Sequence, residues 1–289
     1  MTELTKDTKI LIIGLGVIGG GYAKALTYSG FKHVRCITKE SSDIDYAIAH
    51  GMIEFGTTNV DENLIKESEL IIFALYPHVF KEWIEKYRNL FSEGTIITDV
   101  TGVKSGIVTQ IQALMPEGVE FISAHPMAGR EKSGVEFSNA EVFRGANYIV
   151  VPTEKNTQNA INVCKSLGEA LGFSKISELS IKEHDEMIAF LSQLTHCIAI
   201  VLMNTNNKNG LEKYTGDSFR DLTRIAKINE VMWSELFMLN KDSLLNEIDS
   251  FIEKFVEFRA MLADGDTENM KAEMIKATKK RELFDKPKN

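Results

Sequence analysis

Little in this chain suggests cross-links, metals or membranes. Three cysteines among 289 residues, Cys36, Cys164 and Cys197, are odd in number and widely spaced. They make neither a disulfide framework nor a metal-ligand spacing, so no metal is expected, and a reducing, cytoplasmic setting suits them. Positive charge is in deficit: 33 Lys and Arg against 41 Asp and Glu leave a net charge of −8. A nucleic-acid surface needs the opposite sign, so no nucleic-acid partner is expected. We read no apolar run that approaches the roughly 20 residues needed to span a bilayer. The opening "MTELTKDTKI" is too polar for a signal peptide. No membrane partner is expected. Internal repeats and low-complexity blocks are missing too, and the charged C-terminal stretch is expected to fray.

What is present is alternation. "KILIIGLG", "HVRCIT", "ELIIFAL", "GTIITDV", "VEFISAHP" and "NYIVVP" read as buried strands. Between them lie stretches with helical apolar spacing, such as "GGGYAKALTYSG" and "HVFKEWIEKYRNLF". Strand and helix in alternation imply a parallel sheet covered on both faces. From Ser180 the pattern changes to helices alone. Ser180 and Glu183 form a capping-box signature, followed by an apolar stripe at Met187, Leu191, Leu194, Ile198 and Val201. The expected architecture is a doubly wound α/β dinucleotide-binding domain, residues 1–179, then an all-helical domain, 180–289. The helical part is short and rich in apolar faces, so a homodimer formed through it is expected.

"GLGVIGG" places Gly14, Gly16 and Gly19 in G-x-G-x-x-G spacing directly after a strand and at the start of a helix. Gly14 allows the tight turn, Gly16 lets a pyrophosphate approach, and Gly19 lets helix and strand pack closely. Val17 and Ile18 open the helix whose free N–H groups face the phosphates. The second strand ends at Thr38 and Lys39, not at the acid that would bind a ribose 2′-OH. A hydroxyl and an ammonium favour a 2′-phosphate, so NADP is preferred over NAD as the expectation. Glu40 stands one residue further on and competes with that reading.

"AHPMAGREKSG" supplies a histidine, a proline and two glycines at a strand end. In a dehydrogenase a neutral imidazole there accepts the proton as hydride leaves an alcohol carbon. Read alone, His125 fits a structural role equally well.

Five stretches in order, "GLGVIGG", "TDVTGVKSGI", "AHPMAGREKSGVEF", "HDEMIAFLSQLTH" and "FRDLTRIAKINEVMW", resemble the prephenate/arogenate dehydrogenase family of tyrosine biosynthesis. The likeness spans nearly the whole chain and is to the monofunctional form. It implies NAD(P)-dependent oxidative decarboxylation of prephenate to 4-hydroxyphenylpyruvate, with arogenate as the alternative substrate. It also implies roles: His125 catalytic, with His196, Arg224, Glu131, Asp221, Trp233, Gln193 and Lys104 at the substrate. Arg224 suits a carboxylate because its guanidinium is a planar fork of donors. Two positions depart from the family. Gly102 stands where a serine is usual, with Thr101 or Ser105 as conceivable substitutes, and Gln193 stands where a histidine is frequent. His184 is read as a packed side chain. The competing readings are a β-hydroxyacid-type dehydrogenase, which needs a lysine on the first long helix after the linker, and a regulator that binds NADPH without turnover.

Overall fold

The computed structural model of the chain describes residues 3–129 and 134–285. Two compact units divide it, 1–241 and 242–289. In the first unit lie strands β1 (Lys9–Ile13), β2 (His33–Ile37), β3 (Phe55–Thr57), β4 (Leu70–Phe73), β5 (Ile96–Asp99), β6 (Glu120–Phe121), β7 (Ser123–Pro126), β8 (Asn147–Val151) and β9 (Lys175–Glu178). Its helices are α1 (Val17–Tyr28), α2 (Ser41–Ala49), α3 (Glu62–Glu67), α4 (Pro77–Tyr87), α5 (Val108–Leu114), α6 (Gln158–Ala170), α7 (Ile181–Ile188), α8 (Thr195–Asn204), α9 (Asp217–Thr223) and α10 (Glu230–Leu239).

Six parallel strands run in the order β3-β2-β1-β4-β5-β6. The run Ile10–Ile13 in β1 and the run Leu70–Phe73 in β4 are buried throughout, as strands covered on both faces must be. Order reverses at β1 and β4, and the loops after β1, β4 and β5 form one rim at the carboxyl edge, where such sheets bind ligands.

The sequence predicts one strand of this sheet over "VEFISAHP", and the structure divides it. Phe121 still pairs with β5, but after Ile122 the chain leaves and β7 becomes the edge of a second sheet, β7-β8-β9. There β7 runs antiparallel to β8. The departure follows from Asp99, whose carboxylate accepts from Ser123 Oγ (2.6 Å) and Ala124 N (3.1 Å) where a sheet neighbour would otherwise sit.

Past β9 the chain is helical. The capping box at Ser180 forms as its sequence implies. α7 continues through a π-helical turn, Ala189–Leu194, into α8 without a break. The stretch Ile181–Asn204 thereby corrects the reading of apolar runs: by length and composition it is apolar enough to cross a membrane. Its stripe is also used differently from expectation. Leu191 and Val201 are exposed, while His184, Asp185, Ile188, Ala189, Gln193 and Leu194 face inward. The inward face is chosen by polar side chains that find partners there, not by apolar spacing alone.

The second unit holds α11 (Lys241–Asp264, begun one residue earlier) and α12 (Thr267–Glu282). Phe251, Ile252, Phe255, Val256 and Leu262 on α11 and Met274 and Ile275 on α12 are exposed.

Candidate active site

The glycine turn behaves as its spacing requires. Gly14 has φ +94°, and a Cβ there would lie 2.5 Å from Ala74 O; one at Gly19 would lie 2.0 Å from Gly14 O. A Cβ at Gly16 would meet nothing within 4 Å, so this face of the turn is open to a ligand. α1 begins with no side-chain cap and no acid in its first turn, and its N–H groups at Val17 and Ile18 suit a phosphate. The residues fit a dinucleotide. Gly20 and Gly21 were not singled out in the sequence, yet they are needed: Cβ atoms there would press on Val135, Ser138 and Phe143, whose segment lies over α1.

The end of β2 carries the side chains that bear on the choice of dinucleotide. Thr38 Oγ1 accepts from Leu15 N (3.3 Å), so the hydroxyl braces the glycine turn. Lys39 is exposed. The Asp43 carboxyl is pushed up by burial and by Glu136 and Glu40. Three carboxylates thus share this corner, one of them brought from almost a hundred residues away.

His125 sits in β7 and is partly buried. Its Nδ1 lies 2.9 Å from His184 Nε2, and His184 Nδ1 lies 2.7 Å from Asp185 Oδ1. Asp185 also accepts from the backbone N–H of Lys104 (2.9 Å) and Ser105 (2.6 Å). Burial raises its pKa, but these bonds outweigh it and hold the carboxyl below its ordinary value. The carboxylate accepts only, which assigns the His184 proton to Nδ1. His184 then accepts at Nε2 from the Nδ1–H of His125, and a bare Nε2 remains on His125. Burial, then His184 and Lys104, hold His125 well below the usual histidine range; burial likewise lowers His184. Both rings are neutral at pH 7.

The bare nitrogen faces Gly102. A Cβ there would lie 3.8 Å from His125 Nε2 and 3.7 Å from Leu236 Cδ1, ordinary contacts at a residue with no left-handed φ. Neither suggested substitute for the family serine points that way. Thr101 Oγ1 binds the Asp99 carboxylate and Val103 O (3.2 Å), and the Ser105 hydroxyl is hydrogen-bonded to Asp185.

Two expected substrate contacts are corrected. The amine of Lys104 is fully buried and donates to Asp99 (3.1 Å) and Ala124 O (2.7 Å), so it has no reach to a substrate. Gln193 is 1% exposed; its amide donates to Leu236 O (2.9 Å) and accepts from Asn240 (2.8 Å), which also donates to Asp185 O (2.8 Å). Both residues brace the site from behind. His184, read as packing, instead touches His125 directly.

α10 joins the helices to the rim of the sheet. Glu235 accepts from His78 N (2.7 Å) and lies 2.8 Å from His78 Nδ1, and Asn229 donates to Tyr76 Oη (3.1 Å). On the same helix Trp233 packs against His196 at a tilt of 31°, ring centroids 3.8 Å apart, while His196 Nδ1 donates to Ser192 O (2.8 Å). Asp221 in α9 and Arg224 in the turn after it are exposed, and that turn packs on α8. Glu131 lies outside the described residues. Among the described residues no three His, Cys, Asp or Glu side chains gather as a metal would require.

Comparison with known proteins places this geometry. Residues 22–176 match the prephenate dehydrogenase nucleotide-binding domain, and residues 180–276 match the prephenate dehydrogenase dimerization domain. The prephenate dehydrogenase of Bacillus subtilis is 30% identical over 92% of this chain and 72% of its own length. The cyclohexadienyl dehydrogenase of Zymomonas mobilis is 27% identical over 91% of this chain and 92% of its own length. The crystal structure of A. aeolicus prephenate dehydrogenase in complex with hydroxyphenyl propionate and NAD+ superposes with a TM-score of 0.90, at 29% identity, covering 98% of this chain and 99% of that one. With a glycine turn open to a dinucleotide and an imidazole held bare at the rim beside it, this chain belongs to the prephenate dehydrogenase family.

Proposed function

We propose that this chain oxidises and decarboxylates prephenate to 4-hydroxyphenylpyruvate. The observation that carries the reading is the His125–His184–Asp185 relay, which leaves one unprotonated nitrogen pointing into the rim. His125 Nε2 takes the proton of the ring hydroxyl, and the imidazolium so formed is stabilised through His184 by the Asp185 carboxylate. The dinucleotide, when bound, supplies the hydride acceptor. Loss of CO2 then aromatises the ring, so the protein's task is to position the substrate carboxylates and move one proton. Arg224 is assigned to a substrate carboxylate, with His196 and Trp233 forming a wall beside it.

A β-hydroxyacid dehydrogenase would need its lysine in the site. Lys182 is exposed and pairs with Glu186 (3.8 Å). A regulator without turnover would have no use for a three-member proton relay. Prephenate is preferred to arogenate on the strength of the Bacillus subtilis and A. aeolicus relatives.

For the cofactor, we favour NAD+ over NADP+. Glu40, Asp43 and Glu136 stand together at the end of β2 and repel a 2′-phosphate, outweighing the Thr38 hydroxyl, which accepts from Leu15 N and keeps its own proton to donate. The NAD+ bound in the A. aeolicus relative agrees. Absorbance at 340 nm tests both points: prephenate with NAD+ gives the largest kcat/KM, roughly tenfold or more above NADP+, and Glu136→Gln narrows the gap. Preference for NADP+ would sink the cofactor assignment, and arogenate as the better substrate would sink the other.

Arg224→Ala is expected to raise KM for prephenate roughly tenfold with kcat little changed, as for a charged hydrogen bond at an exposed position. An unmoved KM assigns the carboxylate elsewhere.

We also propose a homodimer through the helical region. Phe190 and Val201 in the first unit and Phe255 and Leu262 in the second expose apolar surface that a partner copy would cover. Light scattering at micromolar concentration should give twice the 32.4 kDa chain mass; a monomer mass would contradict it.

A further inference from the structure

Beneath His125 lies a buried ion pair that the proton transfer does not itself use. Lys104 and Asp99 have no solvent exposure. Asp99 ends β5, and its Oδ1 accepts from Ala124 N (3.1 Å) while the Lys104 amine donates to Ala124 O (2.7 Å). Ala124 is therefore held at both backbone groups by the two members of one pair. β7 is an edge strand, so on this buried side it has no neighbouring strand to satisfy its N–H and C=O. The ion pair takes the place of that neighbour, immediately before the residue that bears the imidazole. Asp99 also accepts from Ser123 Oγ (2.6 Å) and Thr101 N (3.0 Å), which ties β7 to the turn carrying Gly102.

The other end of Lys104 is equally engaged. Its backbone N–H donates to Asp185 Oδ1 (2.9 Å), the oxygen that receives the His184 proton. One residue thus grips the chain beside His125 with its amine and the anchor of His184 with its backbone. We propose that Lys104, held by Asp99, is a positioning residue for the reaction, setting His125 and His184 in line with each other. The proposal rests on the reading of His125 as the base.

Its charge adds an effect that packing alone would not. The charged and titratable groups around His125 among the described residues are Lys104 on the turn after β5, Asp99 at the end of β5, and His184 and Asp185 on α7. Lys104 and His184 both disfavour the imidazolium. Removing the ammonium, and leaving Asp99 uncompensated, makes the imidazolium easier to form. The acid limb of the pH profile should therefore move to higher pH.

The test is Lys104→Met beside the double variant Asp99→Asn/Lys104→Met, which buries no charge and guards against failure to fold. Circular dichroism and the melting temperature report folding, and NADH fluorescence reports dinucleotide binding. Expected are a kcat at least tenfold lower in both variants, a KM for NAD+ within twofold of wild type, and an acid limb displaced upward in Lys104→Met. A lowered melting temperature with unchanged kcat and an unmoved acid limb would reduce the pair to a packing element and overturn the proposal. His125→Asn run in parallel separates the two failures: normal turnover there removes the base assignment itself, whereas its loss there with normal turnover in the Lys104 variants removes only the positioning role.

Discussion

His125→Asn should lower kcat by roughly a hundredfold or more, the low end of what a general base contributes. Dinucleotide binding should survive, because the glycine turn and α1 make no bond through the imidazole. The pH profile sharpens the test. Only the neutral ring accepts a proton, and the structure holds its pKa well below 6.5, chiefly by burial. The wild-type acid limb should therefore lie below the ordinary histidine range, with kcat flat from there to neutrality. Near-normal turnover in the Asn variant, or a wild-type limb above pH 6.5, would refute the assignment.

Asp185→Asn should lower kcat by about tenfold to a hundredfold, the range found when a histidine's outer partner is removed at metal sites. With its oxygen in the Oδ1 position, Asn still accepts from His184 and Lys104 N but turns an amide NH2 against the N–H of Ser105. Reversed, it turns that NH2 against both of the other donors. The first orientation keeps the tautomers of both rings, so the loss is chiefly the charge that steadies the imidazolium. Without the carboxylate a proton on either ring is harder to hold, and the acid limb should move to lower pH, opposite in sign to Lys104→Met. One part-buried backbone donor, the N–H of Ser105, also loses its acceptor, at about 1 kcal/mol of stability. Unchanged kcat would show that His125 works without the relay.

The nucleotide-binding half was legible because its signals are local. Gly14, Gly16 and Gly19 act within one turn, and buried β-branched runs give strands whatever lies around them. What escaped was set by contacts between distant segments. The split of "VEFISAHP" depends on Asp99, more than twenty residues upstream. Glu136 reaches Asp43 at the end of β2 only because the 135–143 segment folds over α1. Lys104 and Gln193 matched a substrate site by type and place in a motif, but side-chain direction is not written in a motif. In sequence His184 is indistinguishable from a packed side chain, since a histidine in the first turn of a helix has many ordinary uses. Its partner on β7 becomes visible only in three dimensions.

The π turn at Ala189–Leu194 has an angular consequence. His184 and His196 are twelve residues apart, which in an unbroken α-helix would set them about 120° out of phase. A wide turn of this kind absorbs about one residue, so twelve positions sweep the angle of eleven, and the offset falls to about 20°. Two imidazoles roughly three turns apart then look out from one side of a single rod, the first toward His125 and the second toward the indole of Trp233.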